Sequence, residues 1–167
     1  MPEQRPKKKR TLPTIGWREW IALPAFGVDA IKVKVDTGAR SSALHAFNLH
    51  LFEQDGARWA RFVVQPLQDS AGSAVEITAP LIGERTVRSS NGRPEKRPVI
   101  STDVELMGQR WPIEITLTNR DAMGFRMLLG RQAVRRKFLV HAGRSFLGSI
   151  PNDQPAAPRA AVGSNPQ

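Results

Sequence analysis

The run Ile31-Lys32-Val33-Lys34-Val35 alternates apolar and basic residues, the period of a strand with one buried face. Trp111, Ile113, Ile115 and Leu117 repeat at the same period of two and make the clearest strand in the chain. Residues 16–24 predict a first strand, turned by Pro24 and Gly27 into the 31–35 strand as a hairpin. Phe47, Leu49 and Leu51 alternate with Asn48, His50 and Phe52, and Asp55-Gly56 is a hairpin turn before a return strand at 59–64. After a polar loop at 66–72, further strands are expected at 75–82, 99–100 and 104–106, the last followed by a Gly108-Gln109 turn. A loop at 119–124 leads to a strand from Phe125 to Leu129 ending in Gly130. Gln132 to Phe138 reads as a short helix, and residues 138–140 as a final strand. No internal repeat is visible. Many short strands punctuated by turns predict a mostly β fold: a small closed or half-closed antiparallel β-barrel with one or two short helices.

Composition sets the frame. A chain of 167 residues, 40% of them apolar, is expected to form one domain, residues 15–147, with tails at 1–14 and 148–167. The first tail holds Arg5, Lys7, Lys8, Lys9 and Arg10 against Glu3, with Pro2, Pro6 and Pro13, and reads as a disordered basic arm, either solubilising or RNA-binding. The second is Pro, Ala, Gly and Asn without periodicity and reads as disordered. There are no cysteines, which excludes disulfides and thiolate metal sites. No apolar run approaches the ~20 residues that span a bilayer, and the basic N-terminus lacks an apolar h-region. A cytoplasmic protein with no membrane association is expected. The net charge of +10 favours polyanionic partners such as RNA, DNA or acidic peptides.

The chemistry concentrates where the 31–35 strand ends. Asp36-Thr37-Gly38-Ala39 brings a carboxylate, a β-branched hydroxyl and a glycine together at a rigid strand edge. Gly38 frees the backbone for a tight turn or for close approach of a ligand, and Thr37 can hold the turn by a local hydrogen bond. The same residues also suit an ordinary turn. Downstream, Met127-Leu128-Leu129-Gly130-Arg131 supplies an apolar strand that stops on glycine.

A strand ending in Asp36-Thr37-Gly38-Ala39, with a later apolar-Gly strand and a short helix, resembles the retropepsin-like aspartic peptidase half-barrel. From about Gly16 to Phe146 the chain resembles one bacterial branch, labelled "ATP-dependent zinc protease" or retropepsin-like endopeptidase and working alongside a ribosomal-protein glutamate ligase. The most specific matching stretches are residues 35–46 and residues 111–131. The resemblance implies that Asp36 is the catalytic carboxylate, that Thr37 locks two loops together, and that Gly38 contacts substrate. It also implies that Gly130, between Leu129 and Arg131, packs behind them. Aspartic peptidases need two carboxylates sharing a proton around a water. Asp29, Asp55, Asp69, Asp103, Asp121 and Asp153 all lack the motif, so a homodimer is expected to supply the second copy.

Residues 84–97 place the turn Ser89-Ser90-Asn91-Gly92 among Arg85, Arg88, Arg93, Lys96 and Arg97, which matches the position of a retropepsin flap. Substrate contacts are expected from Ala39, Arg40, Arg88, Ser90, Asn91, Gly92 and Arg93. Between residues 122 and 152 there is no acid, while Arg126, Arg131, Arg135, Arg136, Lys137 and Arg144 fall there. The link to a glutamate ligase implies an acidic, glutamate-tailed protein substrate such as a ribosomal protein, and association with the ribosome or the ligase. Arginine forks suit such carboxylates.

The "zinc" and "ATP" of the label find no motif. The histidines are His45, His50 and His141, with no H-E-x-x-H, and Gly124 to Gly130 lacks the ending of a P-loop. No metal and no cofactor is expected in the chemistry. The competing reading is a non-catalytic basic module binding RNA or the ribosome, which would be salt-sensitive and indifferent to Asp36.

Overall fold

A computed structural model describes residues 11–66, 73–88, 91–119 and 124–148. Ser90, most of the 66–72 and 119–124 loops, residues 1–10 of the basic arm and residues 149–167 of the tail lie outside the described residues. Thr14 already belongs to a strand, and the Gly148 amide donates to Glu19 Oε1 at 2.9 Å.

Alternating sequence makes alternating burial. β3 (Val28–Asp36) buries Ile31, Val33 and Val35, while Lys34 between them is exposed. It is fed by β2 (Arg18–Leu23) through a 3-10 turn at Pro24–Phe26, closed by Gly27 at φ 67°, as the Pro–Gly signal predicts. β1 (Thr14–Gly16) precedes it. The expected single strand at 16–24 is thus two elements. They break at Trp17 because Gly16 and Trp17 abut another segment: Trp17 N donates to Arg144 O at 2.9 Å, and a Cβ on Gly16 would lie 2.5 Å from that oxygen.

After Asp36 come β4 (Ser42–His45), β5 (Phe47–Gln54), β6 (Ala57–Val64) and β7 (Val75–Pro80). The Asp55-Gly56 turn has φ of 53° and 76°, the two left-handed residues of a tight hairpin. A bulge between Phe47 and His50 breaks the simple alternation read from β5 and leaves Leu51 exposed. Next are β8 (Gly83–Arg88), β9 (Pro94–Leu106) and β10 (Gln109–Thr118). The β9–β10 turn is Met107-Gly108, one residue earlier than expected. The two strand runs expected at 99–106 are one continuous strand.

β11 (Met127–Gly130) leads into α1 (Arg131–Val134) and β12 (Leu139–His141). The helix expected to reach Phe138 is a single turn. Arg135 leaves helical geometry at ψ 140° and Arg136 takes φ 66°. The chain is drawn away because Phe138 packs on Trp111, 5.6 Å between ring centroids, and Leu139 joins β1. Tertiary contacts override a weak helical propensity here.

The main sheet closes on itself in the order β9–β10–β4–β11–β3–β2 and back to β9, with β8 added outside β9. The ring is mixed rather than wholly antiparallel: β10–β4 and β11–β3 are parallel, as is the separate β1–β12 pair. The reason is that β11 wedges between β3 and β4, the two limbs of the Asp36 loop. It runs parallel to β3 and antiparallel to β4. Ile31, Val33, Leu44, Ile115, Met127 and Leu129 fill the interior. The antiparallel sheet β5–β6–β7 packs on this core through Phe62, whose ring meets Phe26 edge-on at 6.2 Å. Among the described residues no helix is long and apolar enough to cross a membrane.

Candidate active site

The loop from Asp36 to Ser42 is held at both ends and from behind. Asp36 closes β3, and its Oδ1 accepts the amides of Gly38 at 3.1 Å and Ala39 at 3.2 Å. Ala39 N also meets Asp36 O at 3.2 Å. The aspartate therefore caps its own turn, and two dipoles fix the plane of its carboxyl group. Asp36 is half-buried, whereas Thr37 and Gly38 are exposed.

β11 backs the loop. Gly130 stands opposite Asp36 in the parallel register, and its amide donates to Ser42 Oγ at 3.0 Å. Arg131 N donates to Ala39 O at 2.7 Å, Gln132 N to Arg40 O at 3.2 Å, and Arg131 Nη1 to Thr37 O at 3.1 Å. A Cβ on Gly130 would collide with the Ser41 carbonyl carbon and lie 2.5 Å from its oxygen. Leu129, wholly buried, anchors the strand, and Trp111 Nε1 donates to Ala133 O at 3.1 Å below it. The expected set Asp36, Thr37, Gly38, Ala39, Arg40, Leu129, Gly130 and Arg131 is thus one structural unit, with Arg40 exposed at its rim.

The flap candidates are distributed differently. β8 and β9 pair as a hairpin whose turn includes Asn91, Gly92 at φ 79° and Arg93, with Arg93 N on Asn91 Oδ1 at 3.3 Å. Arg88 is exposed at the end of β8, on the strand face opposite Arg85. A contact between hairpin and loop comes from Arg85, which the sequence reading did not single out: its Nη1 donates to Ser41 Oγ at 3.1 Å and its Nη2 to Glu114 Oε2 at 2.6 Å. Strand alternation carries a weak trace of this, since Arg85 and Val87 are the half-buried positions of β8.

Beside this contact lies a cleft of about 170 Å³, lined by Ser41, Ser42, residues 112–114, Gln132 and Ala133. It exists because β4 begins pairing with β10 only at Ile115, leaving residues 109–114 as an open edge. Pro112 sits on that edge, where its missing N–H breaks no ladder.

On the opposite strand face, Glu84 accepts Arg58 at 3.3 Å and Lys96 at 3.0 Å, and these hydrogen bonds, the Lys96 one first, hold its carboxyl below the ordinary range. The three histidines lie on three different strands. His45 is buried against the Phe47 ring at 4.3 Å, His50 is on β5 and His141 on β12. Among the described residues no group of three or more His, Asp or Glu is placed to hold a metal ion.

Comparison with known proteins accords with this geometry. Residues 14–150 match the family model described as "RimB-like: Retropepsin-like aspartic endopeptidase RimB". The chain is 47% identical over 139 residues to a "Probable alpha-L-glutamate ligase" of Shewanella halifaxensis, covering 83% of this chain and 30% of that protein. A protein of the same name from Parasynechococcus marenigrum is 47% identical over 141 residues, 84% of this chain and 30% of its own. The chain therefore spans about 30% of the length of these curated relatives. The crystal structure of Lpg0085, a protein of unknown function (DUF785) from Legionella pneumophila, superposes with a TM-score of 0.70 at 26% identity, covering 83% of this chain and 100% of that one. With the family model spanning nearly the whole described chain, and its aspartate loop built and backed as above, this chain belongs to the RimB-like family of retropepsin-like aspartic endopeptidases.

Proposed function

We propose that the chain is an aspartic endopeptidase cutting acidic, oligoglutamate-tailed proteins such as a glutamate-extended ribosomal protein. The observation that carries this is Asp36, fixed by the Gly38 and Ala39 amides at the end of a rigid strand and backed by Gly130. The sequence holds a single Asp-Thr-Gly, and two copies meeting at their Asp36 loops complete the site. In this reading Thr37, which is exposed, is the residue that locks the two loops together.

In that arrangement two nearby carboxyl groups share one proton, because like charges at short range do not both ionise. The ionised Asp36 removes a proton from the bound water, whose oxygen attacks the peptide carbonyl. The protonated Asp36 of the other copy gives its proton to the carbonyl oxygen. The resulting gem-diol collapses as its C–N bond breaks. The amine leaves with a proton from the first carboxyl, and a hydroxyl proton returns to the second. No step of this scheme calls on a metal or a nucleotide.

Arg40, Arg88 and Arg93, with Ala39, Ser90, Asn91 and Gly92, are the proposed substrate side. The high positive charge suits a polyglutamate chain. Relatives named as glutamate ligases, which contain a region like this chain, support a link between adding glutamates and removing them, and hence association with a ligase or the ribosome. The test is incubation with an oligoglutamate-tailed protein and mass spectrometry of the products. Shortened tails are expected. An unchanged tail, with salt-sensitive RNA binding instead, would replace this reading by the basic RNA-binding module.

Shared catalysis has a separate consequence. Adding excess Asp36→Asn chain to the unsubstituted protein under exchange conditions is expected to suppress turnover through inactive mixed dimers. Turnover proportional to unsubstituted chain alone would favour a self-sufficient monomer.

A further inference from the structure

Resting on the peptidase reading, we propose that Arg85 is a specificity-determining residue that receives a substrate carboxylate, and that Glu114 stands in for that carboxylate in the free protein. The Arg85–Glu114 contact of 2.6 Å is a charge-assisted hydrogen bond of the kind a substrate glutamate would make. Glu114 lines the cleft beside the Asp36 loop, and the other arm of the guanidinium holds Ser41 of that loop, which lines it too. A carboxylate entering here would be tied directly to the segment that Gly130 supports.

The surrounding charges single out this pair. Arg97 lies directly opposite Arg85 in the β8–β9 pairing, where two cations on one face repel. Each has its own acid. Arg97, with its side chain only 10% exposed, is held by Glu95 at 3.1 Å from both Nε and Nη2. Arg85 is held by Glu114, whose side chain is 50% exposed on the stretch of β10 that β4 leaves unpaired. Neighbouring Glu84 lies on the opposite strand face with Arg58 and Lys96. Arg85 therefore combines a place beside the loop with a counter-charge that an incoming carboxylate can displace. Exchange of one carboxylate for another yields discrimination against neutral side chains, while competition from Glu114 limits affinity.

The experiment reads binding without turnover, in an Asp36→Asn background, by fluorescence anisotropy of labelled hexaglutamate and hexaglutamine peptides. Glu114→Gln is expected to tighten hexaglutamate binding about fivefold, the scale of one exposed ion pair, and leave hexaglutamine unchanged. Arg85→Gln is expected to weaken hexaglutamate binding by a similar factor and narrow the difference between the peptides. Arg85→Lys should restore part of it. In the Arg85→Gln/Glu114→Gln double variant the gain from Glu114→Gln should vanish, because it acts through Arg85. If that gain persists without Arg85, or if Arg85→Gln binds hexaglutamate as the parent does, Arg85 is not the receptor. Failure of the unsubstituted protein to cleave, with this binding pattern intact, would count against the peptidase reading alone.

Discussion

Replacing Asp36 by Asn is expected to remove peptide cleavage while leaving the fold unchanged. Asn is nearly isosteric, and its side-chain oxygen can still accept the Gly38 and Ala39 amides that now reach Oδ1 at 3.1 and 3.2 Å. The Asx turn therefore survives, and with it the alignment of β3 against β11. What is lost is the ability to take a proton from water, a contribution of roughly 10²- to 10⁴-fold for a positioned acid–base group. If the site is shared between two copies as proposed, each brings the defect, so the larger figure is the expected one. The comparison is turnover of a glutamate-tailed substrate, with circular dichroism and a thermal melt establishing that the variant is folded. A folded Asp36→Asn protein cutting at the parental rate would sink the assignment of Asp36.

Gly130→Ala should damage stability and turnover together. The backbone there has φ −80°, which any residue adopts, so the cost is steric rather than conformational. The added methyl group would collide with the Ser41 carbonyl, with Ser42 N also only 2.9 Å away. Both obstacles are backbone, so the β11 end and the loop must separate. Overpacking of this kind costs roughly 1–3 kcal/mol. Separation would also loosen the Gly130–Ser42 and Arg131–Ala39 hydrogen bonds that set the height of the loop. A displacement near 1 Å at a reacting group costs on the order of 10²-fold. Gly38→Ala is the control for stability: its Cβ would meet Asp36 Oδ1 at 3.4 Å, an ordinary contact. Denaturant midpoints and initial rates for both variants decide the matter. Equal stability of Gly130→Ala and the parent would mean that the loop does not rest on β11 as described.

These two variants differ in how far the sequence points to them. Asp36 is legible because its signal is local: alternation through Val35, then a carboxylate and a glycine at the strand end. Gly130 is marked by the apolar run before it. Its partner Ser41 belongs to an element some ninety positions away, and nothing in either stretch names the other. For a related reason Arg85 does not stand out from its basic neighbours. The stretch from Glu84 to Arg97 is dense in basic residues, and composition makes Arg88 and Arg93 at the turn as eligible as Arg85. Only the β8 register, which turns Arg85 toward Ser41 and Glu114, separates them.

The sequence by itself determined the local grammar of this protein. Period-two runs became β3 and β10, Pro24 to Gly27 and Asp55-Gly56 became turns, and the carboxylate of Asp36 stands at a strand end. These follow from side-chain alternation and backbone preferences acting over a few residues. The tertiary structure alone decided which strands meet. It drove β11 between the limbs of the Asp36 loop and made β10–β4 and β11–β3 parallel. It also cut the helix after Arg131 to one turn and left the edge of β10 open beside Ser41. Such choices turn on burying the faces of segments far apart in the chain, and periodicity within one segment says which face is apolar but not what will cover it.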